Sequence, residues 1–311
     1  MLAMANESQK GSLYAEPVAA ATGGWVADLD PACMVFNGIH GGSLIATLVR
    51  VAELTTHATA VTLSAHLHAP ARPGRLAVTA NVAAASRSIA SVSLTASGAR
   101  PTNSPPSAPP PTAAATSATS PGNDDDVLIA SASILVQTGT DPSPPEVHEA
   151  SRVLPTDDQA NPDNVEPLRL PAGSGPMLEL IDIRPVGPTR PLAAGREPRL
   201  TAWVRPRTFS DTSTPQALNS YSPALATTLL DALAPAIWAT LATPVPIPTV
   251  ELSAHLTGAT PVDDWFLVDQ SMAWSNGAIC VDSSELFDSR GTLLAQARQL
   301  RRILTPRKPR P

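Results

Sequence analysis

A five-residue phrase stands at two distant places in the chain, Leu63-Ser64-Ala65-His66-Leu67 and Leu252-Ser253-Ala254-His255-Leu256. Each copy follows an apolar, helix-like stretch and precedes alternating segments that end in a strand-like run. A duplicated folding unit constrains architecture more than any local motif, because one core-building solution must then serve twice. The repeat predicts a pseudo-two-fold molecule with its site between the halves.

The local patterns fill in the units. Glycines in Asn37-Gly38-Ile39-His40-Gly41-Gly42 lead directly into Ser43–Ala52, which predicts a tight turn into a helix N-terminus. That helix is apolar on nearly every face, with Arg50 and Glu53 near its end, so it is expected to be buried. Trp25–Phe36, Val61–His68, Leu76–Ala85, Ile89–Ser97 and Val127–Gln137 read as strands and turns of the first half. In the second half, Leu178–Pro185, Arg199–Arg205, Thr249–Leu256, Trp265–Ser275, Ala278–Asp288 and Thr292–Leu304 do the same. Pro223–Trp238 reads as the second buried helix, with Asp231 its single charge. The turn Asp288-Ser289-Arg290-Gly291 joins the last two strands.

Of the 34 prolines, many fall between these elements. The Pro-, Ser- and Ala-rich stretch 99–126 has no periodicity and little to bury, and reads as a disordered insert in a hairpin. The expected units are 1–139 for the first half, 140–176 for a Pro-rich linker and 177–311 for the second half. The class is α+β, each half a long buried helix wrapped by a curved antiparallel sheet. Setting Leu128-Ile129-Ala130 against Leu293-Leu294-Ala295 aligns the closing strands. Ile134 then opposes Gln299, and Ala60 opposes Thr249.

Several function classes are disfavoured. A net charge of −6 without a basic face argues against nucleic acid. No apolar run approaches the length of a membrane span, and residues 1–10 lack a signal-peptide core, so the chain reads as intracellular and cytoplasmic. The basic stretch from Arg301-Arg302 to Arg310 reads as a solvated terminus. Cys33 and Cys280 read as buried small apolar residues rather than nucleophiles, with no metal-ligand spacing around them. A Gly-x-Ser-x-Gly elbow is absent. His66 and His255, equivalent by the repeat, read as surface or structural residues.

Three segments together resemble the double-hotdog acyl-CoA thioesterases, the thioesterase-like superfamily similar to bacterial acyl-CoA thioesterase II. They are Asn37–Gly42, Pro248–Leu256 and Glu285–Gln299. The resemblance implies a tandem hotdog fold and water-dependent, metal-free hydrolysis of an acyl-CoA or related acyl thioester. No cofactor is implied beyond the CoA of the substrate. It also implies association of copies through sheet edges, in no fixed number. Members of the thioesterase II type use an Asp, a Thr or Ser and a Gln to activate water. Here Thr249 and Gln299 match the last two, and Asp231 is the only acid of the second helix. Glu251 and Asp282 are the next candidate bases. Gly41 and Gly42 would offer free N–H groups to the substrate carbonyl, with Asn37 and His40 beside them. Two other readings stay open. One is a non-catalytic acyl-binding hotdog protein. The other is a hotdog hydratase or dehydratase, which would use an Asp and a His close together in a helix-start motif; the sequence shows no such pair.

Overall fold

The repeated phrase forms the seam of the molecule. In the computed structural model, the strand holding the first copy pairs antiparallel with the strand holding the second, and Ser64 lies opposite Ser253. Leu63 faces Ala254 and Ala65 faces Leu252, so each copy meets the other about its own middle residue. The structure describes residues 12–99, 126–139, 154, 159, 161–169, 173–207 and 221–304.

In chain order the strands are β1 (Val18–Ala19), β2 (Trp25–Leu29), β3 (Met34–Val35) and β4 (Gly38–Ile39). Helix α1 (Gly41–Thr56) follows, then β5 (Thr59–Leu67), β6 (Gly74–Ala85), β7 (Ile89–Ala99) and β8 (Asp126–Gln137). The second half has β9 (Ile181–Val186), β10 (Arg199–Pro206), helix α2 (Pro223–Leu230), β11 (Thr249–Leu256), β12 (Phe266–Ser275), β13 (Ile279–Asp288) and β14 (Leu293–Arg302).

Twelve of these strands make one antiparallel sheet, ordered β1-β2-β6-β7-β8-β5-β11-β14-β13-β12-β10-β9. The order reads the same from both ends once β5 is equated with β11 and β8 with β14. Register carries the equivalence to single residues: Leu63 pairs with Ile134 and Leu252 with Gln299. The alignment expected from the sequence therefore holds in space. Helix α1 packs on the strands of its own half, α2 on β13, β14 and β11, and the two helices pack on each other. Inward-facing Leu63, Ala65, Leu252 and Ala254 complete the core between them.

α1 starts after the N-cap His40, whose Nδ1 accepts the Ser43 N–H, and ends at His57 in the left-handed region. α2 is capped by Ser222, whose hydroxyl accepts the Leu225 N–H, with Pro223 at its first position. It is shorter than the sequence pattern predicts. Asp231 leaves helical geometry (φ −107°, ψ 9°) as the C-cap. Pro235 precedes a short 3-10 turn over Ala236–Thr240. An apolar run does not end where its hydrogen-bond ladder does, and proline lacks the donor to continue it.

The insert expected over 99–126 lies almost wholly outside the described residues, as do residues 1–11 and 305–311. The described parts of 140–176 are packed rather than tether-like: Val165 is buried with Val186, Trp203 and Trp265, and the Leu168 N–H donates to the Ile183 carbonyl. Among the described residues no helix is long and apolar enough to cross a membrane. Both cysteines are buried, which pushes their thiols up, to about 12 for Cys33 and about 11 for Cys280, leaving them inert near neutrality.

Candidate active site

Asp231 is brought to the seam by the end of α2. There it meets groups from both halves. Its Oδ1 accepts from Gln299 Nε2 at 2.9 Å and from Arg301 Nη2 at 3.0 Å. Its Oδ2 accepts the Gly42 N–H at 2.8 Å. The carboxylate is buried, and four charge-assisted or polar partners compensate a desolvation that would otherwise be prohibitive. His40 adds a fourth contact, with Nε2 at 3.4 Å from Oδ2 and 2.8 Å from the Asp231 backbone oxygen.

Opposing forces set the Asp231 pKa. Burial acts to raise it; the attraction of His40 and Arg301, the Gly42 N–H and the Gln299 amide outweigh burial and hold the carboxyl below the usual carboxylate range. His40 and Arg301 thus flank the carboxylate from opposite halves, and Arg301 is the partner whose charge is permanent.

Thr249 reaches the same place through a backbone irregularity. Strand alternation from the inward-facing Leu252 would put Thr249 on the outer face of the sheet. A bulge between Thr249 and Glu251 restores it to the face of Gln299 and Arg301, opposite Arg301 in register. Arg301 Nη1 donates to Thr249 Oγ1 at 2.9 Å. Glu251 is left on the other face, where the Ser253 hydroxyl donates to it, which removes it as a base for this site.

The two glycines divide their work, which corrects the expectation that both N–H groups are free. The Gly42 N–H is spent on Asp231. Among the described residues nothing bonds the Gly41 N–H, which opens helix α1. A methyl group on Gly42 would come within 2.8 Å of Asp231 Cβ and 3.1 Å of the Thr228 carbonyl oxygen, so the helices approach this closely only over glycine. A methyl group on Gly41 would lie 3.1 Å from Asp231 Oδ2, 3.3 Å from Leu67 Cδ1 and 3.9 Å from Thr249 Cβ. The carboxylate, Leu67 and the threonine thus close in on Gly41, at a helix N-terminus that favours developing negative charge.

Of the sequence-derived site residues, Asp231, Thr249, Gln299, Gly41, Gly42 and His40 converge. Asn37 does not: it is exposed at the tip of the hairpin between β3 and β4. His40 and Asp231 do meet across the halves, one at the start of α1 and the other at the end of α2 rather than in one helix-start motif. Both His40 nitrogens are engaged in holding the helix start and the Asp231 loop. The largest correction is Arg301. Read from the sequence as part of a solvated tail, it is a buried residue of β14 that touches Asp231, Thr249 and Gln299. Its strand spacing, two after Gln299 and four after the buried Ala297, was the available signal. Behind it stands Asp282 on β13, its Oδ2 2.9 Å from Arg301 Nε. His66 and His255 are exposed, as expected.

Residues 30–120 match the family model of the acyl-CoA thioesterase N-terminal domain, and residues 154–303 that of the acyl-CoA thioesterase C-terminal domain. Among solved structures, a thioesterase II from Thermobifida fusca YX, assigned as such provisionally, is 21% identical with a TM-score of 0.70, over 93% of this chain and 96% of that one. A hot dog fold protein from Alicyclobacillus acidocaldarius is 18% identical with a TM-score of 0.68, over 91% and 93%. The acyl-CoA thioesterase II TesB2 from Mycobacterium marinum is 15% identical with a TM-score of 0.61, over 91% and 93%. At these identities the likeness speaks for the hotdog fold. Among curated proteins none matches the chain.

Proposed function

The chain belongs to the acyl-CoA thioesterase family, and on that premise we propose that it is a double-hotdog enzyme hydrolysing an acyl-CoA or related acyl thioester at the seam between its halves. The observation that carries this reading is the convergence beside Gly41 of Asp231 Oδ2, Thr249 and an unbonded helix N–H. A water there would give its proton to Asp231 Oδ2 as its oxygen attacks the thioester carbonyl carbon. Thr249 would hold that water through its hydroxyl. Gln299 acts through Asp231, keeping Oδ1 occupied so that Oδ2 faces the reaction. The Gly41 N–H would stabilise the oxyanion, aided by the N-terminal end of α1. Collapse breaks the C–S bond, and the thiolate leaves to take up a proton as free thiol.

The proximity of His40 to Asp231 gives one observation in favour of a dehydratase. With both ring nitrogens already used in structural hydrogen bonds, the imidazole is a poor general base, and the hydrolase reading is preferred. A non-catalytic acyl-binding protein would have no need of an ionised acid held against the helix start.

A panel of acyl-CoA substrates with a thiol-reactive dye tests the reading. We expect thiol release with at least one chain length, and a loss of about a thousandfold in kcat for Asp231→Asn. Absence of release across the panel would sink the hydrolase, and enoyl absorbance from a 3-hydroxyacyl-CoA would install the dehydratase in its place.

A further inference from the structure

Arg301 is a permanently charged side chain with donors only, buried against the carboxylate, hydroxyl and amide of the proposed site. Such a residue dictates the hydrogen-bond polarity of everything it touches. Nη2 donates to Gln299 Oε1 and to Asp231 Oδ1, and Nη1 donates to Thr249 Oγ1. A glutamine amide alone could present either end to Asp231. With its oxygen committed to the guanidinium, only its NH2 group can meet the carboxylate, as it does at 2.9 Å. Thr249, in accepting from Arg301, keeps its own proton to donate.

Asp282 explains why the guanidinium stays. It is 0% exposed, with Oδ2 against Arg301 Nε. The same Oδ2 accepts the Ala236 N–H at 3.3 Å, just beyond the Asp231 turn. Oδ1 has no hydrogen-bond partner among the described residues. An under-satisfied buried carboxylate is costly to keep, and among the described residues its ion-pair partner is Arg301.

We propose that Arg301, anchored from behind by Asp282, is the positioning residue of this site, fixing the end of the Gln299 amide that meets Asp231 and the proton that Thr249 offers to water. This rests on the hydrolase reading above. The groups facing Asp231 are His40 from the turn before α1, the Gly42 N–H of α1, Gln299 and Arg301 of β14, and Thr249 of β11; Asp282 of β13 acts through Arg301, and α2 itself carries no other titratable residue. Arg301 is the permanent positive charge among those groups.

The test uses the full-length chain with Arg301→Met, Arg301→Lys and Asp282→Asn, each checked for folding by thermal unfolding. Two readouts are taken: kcat and KM across pH, and the titration of the Asp231 carboxyl by 13C NMR, assigned with Asp231→Asn. Arg301→Met should lower kcat about a hundredfold, the order expected for misplaced catalytic groups, with KM little changed. Asp231 should titrate at higher pH, and the acid limb of the rate profile should move with it. Arg301→Lys should return the acid limb toward wild type without restoring kcat, because one ammonium keeps the charge but cannot reach three acceptors in a plane. Asp282→Asn removes a like charge and should move the Asp231 titration the opposite way to Arg301→Met. A folded Arg301→Met with wild-type kcat and an unmoved Asp231 titration overturns the proposal. If that variant does not fold, full kcat in Arg301→Lys overturns it equally. A wild-type protein without thioesterase activity defeats the hydrolase reading alone, since the carboxyl titration still decides whether Arg301 governs Asp231.

Discussion

Five places occur twice in this molecule, and the two halves fill them with opposite chemistry. In the second half they hold Asp231, Thr249, Asp282, Gln299 and Arg301. Strand register sets Ala60, Val92, Ile134 and Val136 against the last four, and counting from the N-caps His40 and Ser222 sets Val49 against Asp231. Every first-half member is apolar and at most 1% exposed. The helix starts are unequal too. Where Gly41 and Gly42 open α1, Pro223 and Ala224 open α2, so the first position there has no N–H to offer, and Tyr14 Oη lies 3.4 Å from the capping Ser222 hydroxyl. One backbone solution thus supports a dry core in one half and a charged site in the other. Side chains at a few inward positions, and not topology, decide which half can do chemistry.

The sharpest way to break this comparison is to turn the second half into the first. Arg301→Val alone strips two buried carboxylates of the cation they share and should cost about 3–5 kcal/mol of stability. Adding Asp231→Val, Asp282→Val and Gln299→Ile, the first half's own set of side chains, should bring stability back to the wild-type level or above while abolishing activity. Chemical denaturation of both variants checks this. If the fourfold variant is as unstable as Arg301→Val, the halves are not interchangeable cores. A smaller effect is expected at the helix start. Gly42→Ala, which installs the residue type that α2 already carries at Ala224, forces a methyl group against Asp231 and the Thr228 carbonyl. It should cost about 1–3 kcal/mol by overpacking, measurable as a lowered Tm.

The smallest effect is a pH dependence that the first half cannot contribute. Asp231 has a folded-state pKa below its ordinary value, so its stabilisation is present above the ordinary carboxylate pKa and is lost as pH falls through the lowered one. Asp282 is pushed the other way, chiefly by burial against the counteracting pull of Arg301. It opposes folding near neutrality, and that opposition fades as pH falls through its raised pKa. Tm measured against pH should therefore fall less steeply on the acid side for Asp231→Asn than for wild type, and more steeply for Asp282→Asn. Parallel curves would show that neither carboxylate is coupled to folding as described.

Much of this was legible in the sequence because it is periodic. The repeated phrase, the alternation of the closing strands and the pairing of Gln299 with Ile134 all follow from inward and outward faces. Thr249 is named by the family resemblance rather than by periodicity, since its inward turn depends on a bulge, one that recurs at Ala60. What escaped was whatever depends on partners far along the chain. A buried arginine is stable only with acceptors around it, and those of Arg301 come from three other segments; without them a basic residue near the terminus reads as solvated. The end of α2 at Asp231 escaped likewise, since hydrophobicity continues to Trp238 while the hydrogen-bond ladder stops. The fate of the Gly42 N–H could be read only once Asp231 was placed against it.

The seam at Ser64 and Ser253 has a consequence for the separated halves. Since each strand there meets residues of its own kind in its own order, a first half expressed alone would carry a raw edge at β5 complementary to itself. Two such fragments can close that edge against one another in the register the intact chain uses, with Leu63 of one facing Ala65 of the other. The expected product is a symmetric homodimer of the half-molecule, folded around an apolar interior and without a base at either of its two equivalent centres.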